Sequence, residues 1–280
     1  MTTVQNWADR VGKSWAEEWQ RTDRSFGGLT DELLATVRQQ RFQCVLDVGC
    51  GAGEVSLAIA RDQGGAEIRG LDISPELITV ARSRSANLSN IAFEHGNAAD
   101  WQDDDFRPDL IVSRHGTMFF EDPSVAFAHL RNISKDNARL VFSCFRGSDE
   151  NPWASRISEL LPTSVQQDTP DIHDEPPPGP FAFADQSYVT RILQAAGWGE
   201  IAFTPVDYAY IAGTGPKPVD DAMAFFHRIG PAAKTYATLP HADRVLFDGK
   251  LRHLLERHED KGLVAFRASA WIVGARAGED

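Results

Sequence analysis

The chain has little with which to cross-link itself or to grip a polyanion. Of its 280 residues only three are cysteine, three methionine and four tyrosine. Cys44, Cys50 and Cys144 fall in or beside apolar runs that read as buried strands. They are expected as reduced core thiols, which suits a reducing cytoplasm and excludes a disulfide-stapled scaffold. Positive charge is also scarce: 28 Lys and Arg against 40 Asp and Glu leave a formal charge of −12. That balance works against an electrostatic hold on nucleic acid or an anionic membrane, and favours a small molecule or a protein as partner. No apolar run approaches the ~20 residues of a membrane span. The polar opening "MTTVQNWADR" reads as having no signal-peptide core. Metal-ligand spacing is missing too. His253 and His258 are five apart and do not share a helical face, and "DDD" at 103–105 reads as a solvated loop, so no metal site is expected. Repeats and low-complexity tracts are absent.

What is present is alternation. "CVLDV", "IRGLDI", "IAFEHG", "DLIVS" and "ARLVFSCF" are short continuous apolar runs. Helical segments separate them, beginning at Glu54, at Pro75 behind a Ser74 cap, and at Pro123. Strands apolar on both faces imply a parallel sheet covered on both sides by helices, the α/β class. "IAFTPVDYAYI" and "VAFRASAWIVGAR" supply a sixth and a seventh strand, and their long connection suggests an antiparallel edge. Residues 5–40 read as helical, with Trp7, Val11, Trp15 and Trp19 at spacings of four on one face and a second helix over Thr30–Gln39. This divides the chain into an N-terminal helical lid segment, 1–40, and a domain over 41–280. Insertions at about 147–184 and 213–261 form a cap rich in Phe, Trp and Tyr, and aromatic walls suit a small or medium hydrophobic ligand.

The stretch "VLDVGCGAGEVSLAIA" carries the first chemical signal. Gly49, Gly51 and Gly53 are spaced G-x-G-x-G, not the G-x-G-x-x-G of dinucleotide turns, and no G-K-S or G-K-T phosphate loop follows. Glu54 stands at the mouth of the next helix, where it would repel a pyrophosphate and suit a ligand bearing ammonium and sulfonium charges. Asp72 ends the second strand, 25 residues after Asp47. An acid there can accept bonds from both hydroxyls of a ribose. In "HGNAADW", Asn97 can donate and accept along an adenine edge and Ala98 offers a backbone N–H. Trp101 offers a stacking face or a core ring.

Taken in order, "VLDVGCGAG", "GLDIS", "GNAADW" and "PDLIVSRHGTMFFEDPSVAFAHLRNISKDNARLVFSCFRG" resemble a class I S-adenosylmethionine-dependent methyltransferase, strongly over residues 40–147. The resemblance implies a Rossmann-like sheet and S-adenosyl-L-methionine as cofactor. It implies that Asp47, Gly49 and Gly51, in the turn that Gly53 closes, line the methionine and ribose end. Asp72 would hold the ribose, Ile73 pack on adenine, Asn97 and Ala98 read its edge, and Ser113 lie beside the methionine. Many relatives carry aspartate at the position of Asn97. The reaction expected is methyl transfer to a small-molecule hydrophobic acceptor, at oxygen first, with carbon or nitrogen of a natural product or modified peptide as the alternative. A nicotinamide-dependent oxidoreductase and a non-catalytic cofactor-binding protein are the competing classes. A hydroxyl acceptor needs a base. His115, two residues past Ser113 at the ligand-binding end of the sheet, is the catalytic candidate; packing as a loop histidine is its other role. Tyr208, Tyr210, His227 and His241 stand behind it. The tryptophan stripe reads as core or as a lid over the cofactor.

Overall fold

The computed structural model describes residues 7–163 and 175–278. The middle of the first insertion, between those two stretches, lies outside the described residues, as do residues 5 and 6 of the expected first helix. Within them eight strands form one sheet: β1 Cys44–Val48, β2 Glu67–Asp72, β3 Ile91–His95, β4 Leu110–Arg114, β5 Arg139–Phe145, β6 Trp198–Thr214, β7 Glu259–Asp260 and β8 Leu263–Ala277. The order is β3-β2-β1-β4-β5-β8-β6, with β7 paired to β8. Strands β1 to β5 run parallel, and β8 is antiparallel to both β5 and β6. The expected architecture is therefore present with one addition. The two-residue β7 arises because Lys261 and Gly262 both adopt positive φ (50° and 83°), folding the chain back on itself before β8.

Helices lie where the apolar periodicity puts them. Glu54–Asp62, Pro75–Arg84 and Pro123–Ile133 cross between parallel strands. The last two open with proline and with caps in which Ser74 and Asp122 accept the Leu77 and Val125 N–H groups. The N-terminus differs from expectation. An irregular turn, Trp7–Val11, and a short helix, Gly12–Glu17, precede one unbroken helix, Trp19–Arg38, that runs straight through Gly27 and Gly28. Tertiary contact explains the continuity. At Gly28 a side chain would press within 3.2 Å of the Tyr208 Cβ, so the bare backbone lets the helix lie directly on β6. Leu29, Leu33, Leu34 and Val37 bury the other turns. Among the described residues no helix is long and apolar enough to cross a membrane.

β1 and β4 are neighbours whose following connections lead to opposite sides of the sheet. Open α/β sheets bind ligands at such a switch point, beyond the carboxyl ends of the strands.

Candidate active site

A cleft of about 820 Å³ opens at that point. Its walls come from the ends of four strands and from the N-terminal turn: Val48 and Gly49 after β1, Leu71 to Ile73 after β2, Gly96 to Ala99 after β3, Gly116 and Phe119 to Asp122 after β4, and Trp7 above. Of the residues singled out from the sequence, Gly49, Asp72, Ile73, Asn97 and Ala98 line it.

Asp72 is 7% exposed, and both its oxygens are engaged by backbone: Gly51 N–H at 2.8 Å and Ser74 N–H at 2.9 Å. Burial pushes its carboxyl up, while the Ser74 and Gly51 bonds pull the other way. Each oxygen keeps a lone pair for a ligand donor. Asn97 spends its carbonyl on the Ala99 N–H at 3.1 Å, which shapes the turn after β3. Gly49 has φ +66°, and a side chain there would meet the Gly116 Cα at 2.9 Å. The loops after β1 and β4 thus touch backbone to backbone, and a side chain on either glycine would force them apart.

Other expected residues support this wall from behind. Ser113 is fully buried; its hydroxyl donates to the Val48 carbonyl at 2.6 Å and accepts the Gly116 N–H at 3.2 Å, clamping the same two loops. Asp47 is 1% exposed and turns to Ser56 in the following helix, accepting its hydroxyl at 2.5 Å. Burial raises the Asp47 carboxyl to about 6. Gly53, at φ +84°, caps that helix with Phe93 where a Cβ would be. Trp101 packs on Phe106 and donates its indole N–H to Glu94, away from the cleft wall. Glu54 does not form a free acidic lip. Its carboxylate is bonded to Arg114, which also faces Asp23 at 3.7 Å, and Arg84 bonds the other Asp23 oxygen at 2.8 Å. The acid is matched by an arginine 60 positions away, so its charge is spent inside the protein.

His115 lies beyond β4 with φ +62°, a left-handed backbone for a residue with a side chain. Its ring stacks on Phe145 at 3.9 Å and meets the Phe26 ring edge at 5.3 Å. Both ring nitrogens are buried without a hydrogen-bond partner, as are the Tyr208 hydroxyl and the Ser143 hydroxyl. Burial, with Arg114 nearby, lowers the His115 pKa to about 3, so the imidazole is neutral at physiological pH. Phe145 in turn touches Trp153 at 5.1 Å and Phe181 at 5.9 Å, and Trp153 stacks on Tyr210 at 4.7 Å. The result is a packed aromatic cluster around His115. The two remaining second-line residues stand in the second insertion, outside that cluster: His227 is 2.8 Å from Asp248, and His241 opens the helix His241–Glu256 as an exposed residue.

A family model described as a methyltransferase domain matches residues 43–197, more than half of the chain. The chain belongs to the class I S-adenosylmethionine-dependent methyltransferases. Within that family it is 28% identical over 167 residues to trans-aconitate 2-methyltransferase of Escherichia coli O7:K1, covering 59% of this chain and 60% of that one. It is 34% identical over 143 residues to the enzyme of that name from Methylobacterium radiotolerans, covering 46% and 52%. The chain thus spans well under two thirds of the length of these curated relatives, and a third (32%) of a Fusobacterium nucleatum release factor glutamine methyltransferase. Two solved structures share the fold: a putative methyltransferase from Bacillus halodurans, at TM-score 0.56 and 15% identity over 89% of this chain and 99% of that one, and the [4+2]-cyclase SpnF, at TM-score 0.58 and 19% identity over 99% and 98%.

Several cleft residues of this methyltransferase chain were not singled out from sequence: Leu71, Gly96, Phe120 and Asp122. They follow glycine or strand-end positions that only the closed fold brings to one wall. Trp7 carried a signal, its place on the tryptophan stripe.

Proposed function

We propose that this chain transfers the methyl group of S-adenosylmethionine to the oxygen of a small or medium, largely apolar acceptor. The observation that carries the reading is the buried Asp72 carboxylate in the cleft wall, beside the glycine-to-glycine contact of Gly49 and Gly116. An adenosyl group fits these residues. It needs carboxylate lone pairs for its ribose, which Asp72 keeps, and apolar surface for its base, which Leu71, Ile73 and Ala98 supply. Asn97 and the Ala98 backbone are assigned to the adenine edge, and Gly49, with Gly51 and Gly53 shaping the turn, to the methionine side. Ser113 and Asp47 are positioning residues, acting through the Val48–Gly49 loop and the helix at Ser56.

When bound, the cofactor supplies an electrophilic methyl carbon, whose bond to sulfur breaks with its electron pair as the acceptor oxygen bonds to carbon. The chain's task is alignment, and orientation of this kind supplies roughly 7–11 kcal/mol of a barrier. The aromatic cluster of Phe26, Phe145 and Trp153 around His115 is the apolar surface assigned to the body of the acceptor, and these rings must part to admit it. His115, neutral and unbonded, accepts a hydrogen bond from the acceptor hydroxyl. It takes the proton late, once the oxygen carries the new bond and has become strongly acidic, and gives it up when the product leaves. Acceptors at carbon or nitrogen are the second reading, and they would leave His115 dispensable.

Calorimetric titration with S-adenosylhomocysteine tests the cofactor assignment. One equivalent should bind, and Asp72→Ala should weaken it about a hundredfold or more, the loss expected when a buried ligand partner is removed. Failure of the wild-type chain to bind, or binding of NADH in its place, sinks the assignment.

A further inference from the structure

The roof of the cleft holds a donor that the cofactor motifs do not account for. The indole Nε1 of Trp7 is buried and has no hydrogen-bond partner, although Trp7 lines the cleft. A buried N–H without an acceptor is costly and calls for an explanation. Its position is set by packing. The ring meets Phe119 edge-on at 5.0 Å and Trp15 at 5.3 Å, so two aromatic neighbours fix the indole plane without any hydrogen bond.

The backbone that carries Trp7 is itself fastened to the opposite wall. Gly12 sits where a side chain would lie 2.3 Å from the Ser74 hydroxyl and 2.3 Å from the Trp7 carbonyl oxygen. Ser74 follows Ile73 in the cleft wall, caps the helix Pro75–Arg84 and gives its N–H to Asp72. One missing side chain therefore lets the N-terminal turn close onto the loop that carries Asp72. Asp72 and Trp7 line the same cleft, one with carboxylate acceptors and the other with an unpartnered donor.

We infer that Trp7 is a ligand-binding residue whose indole N–H donates to an acceptor atom of the bound adenosyl group, with Gly12 docking on Ser74 to hold the donor in place. An adenosyl group presents both kinds of atom, hydroxyls that donate and ring nitrogens and oxygens that accept. The inference rests on the reading of the cleft as the adenosyl site, and it adds to that site a residue outside the region matched by the family model, which begins at residue 43.

The test is calorimetry with S-adenosylhomocysteine on wild type, Trp7→Phe, Trp7→Ala and Gly12→Ala, alongside amide hydrogen exchange of residues 8–17. Trp7→Phe keeps a ring and removes only the donor, and it should raise Kd about 5- to 10-fold. Gly12→Ala, whose Cβ would overlap the Ser74 hydroxyl and the Trp7 carbonyl, should weaken binding at least as much. Ligand should slow exchange over 8–17 in the wild-type chain and not in Trp7→Ala. If Trp7→Phe binds as tightly as wild type while Trp7→Ala does not, the ring merely covers the cleft and the donor role is overturned. If all variants bind alike, the roof plays no part. If wild type takes no S-adenosylhomocysteine, the reading of the cleft itself fails, a result separate from the other two.

Discussion

The imidazole of His115 lies nearly parallel to the phenyl ring of Phe145, 3.9 Å between centroids at an interplanar angle of 17°. The stack shields both nitrogens and holds the ring neutral, and this has consequences for rate and for stability.

For rate, His115→Ala should lower methyl transfer about 10²- to 10³-fold, the range of a positioned proton acceptor, while leaving S-adenosylhomocysteine affinity within twofold. Tyr208→Phe, which removes a buried, unpartnered hydroxyl, should raise KM for the acceptor without altering that affinity. Steady-state kinetics beside calorimetry separates the two sites. Unchanged turnover in His115→Ala transfers the case to carbon or nitrogen acceptors.

For stability, the sign follows from the depressed pKa. Between the ordinary 6.5 and about 3, the unfolded chain binds a proton at this residue and the folded chain does not. The contribution is present above pH 6.5 and is lost as pH falls toward 3, by up to roughly 5 kcal/mol. Urea midpoints measured from pH 7 to pH 4 should fall more steeply for wild type than for His115→Phe. Parallel curves would show that the imidazole gains a partner in solution.

Asp47 acts in the opposite sense. Its folded pKa is raised from 3.8 to about 6, chiefly by burial. Between those values the folded chain holds the extra proton, so this group favours folding as pH falls from about 6 to 4, by up to roughly 3 kcal/mol. Asp47→Asn should remove that term and make the acid limb of the stability curve steeper than in wild type. The comparison needs only denaturation curves at pH 7 and pH 4.5.

Arg114 and Glu54 are partly buried partners, with side chains 15% and 22% exposed. Arg114→Met leaves Glu54 and Asp23 without that cation and should cost about 2–4 kcal/mol by urea denaturation. Arg114→Met combined with Glu54→Gln should recover part of the loss. A double variant no better than the single one would show that the arginine acts through its packing on Phe26, over whose ring it sits at 5.2 Å.

At the glycine contact, Gly116→Ala places a Cβ 2.6 Å from the Val48 carbonyl and 2.9 Å from the Ser113 hydroxyl. The clamp must open, and S-adenosylhomocysteine affinity should drop at least tenfold, with a stability loss of about 1–3 kcal/mol. Retained affinity would mean that the cleft tolerates separation of the two loops.

Much of the sheet and half of the cleft wall could be read from sequence, because they rest on local signals. Apolar strand runs, the Ser74 and Asp122 caps, and the glycine turn before Glu54 each declare themselves within a few residues. Glu54 shows where such reading stops. Its position at a helix mouth is local information, but its partner, Arg114, is set by the β1–β4 neighbourhood. The helix Trp19–Arg38 makes the same point: from sequence a second helix is expected to begin at Thr30, and the continuity through Gly28 follows from its contact with β6. The place of His115 just after β4 is local information too, yet its neutral state depends on Phe26 and Phe145, from two distant elements.

Phe26 is common to both halves of the site. Its ring stacks with Trp15 at 6.2 Å, Trp15 bears on Trp7 in the roof, and Phe26 also meets His115 at 5.3 Å. A ring that touches both the roof and the histidine couples what happens at one to the other. Turnover should therefore run in a compulsory order, nucleoside in first and spent nucleoside out last, and product inhibition would display it as competition against the methyl donor alone.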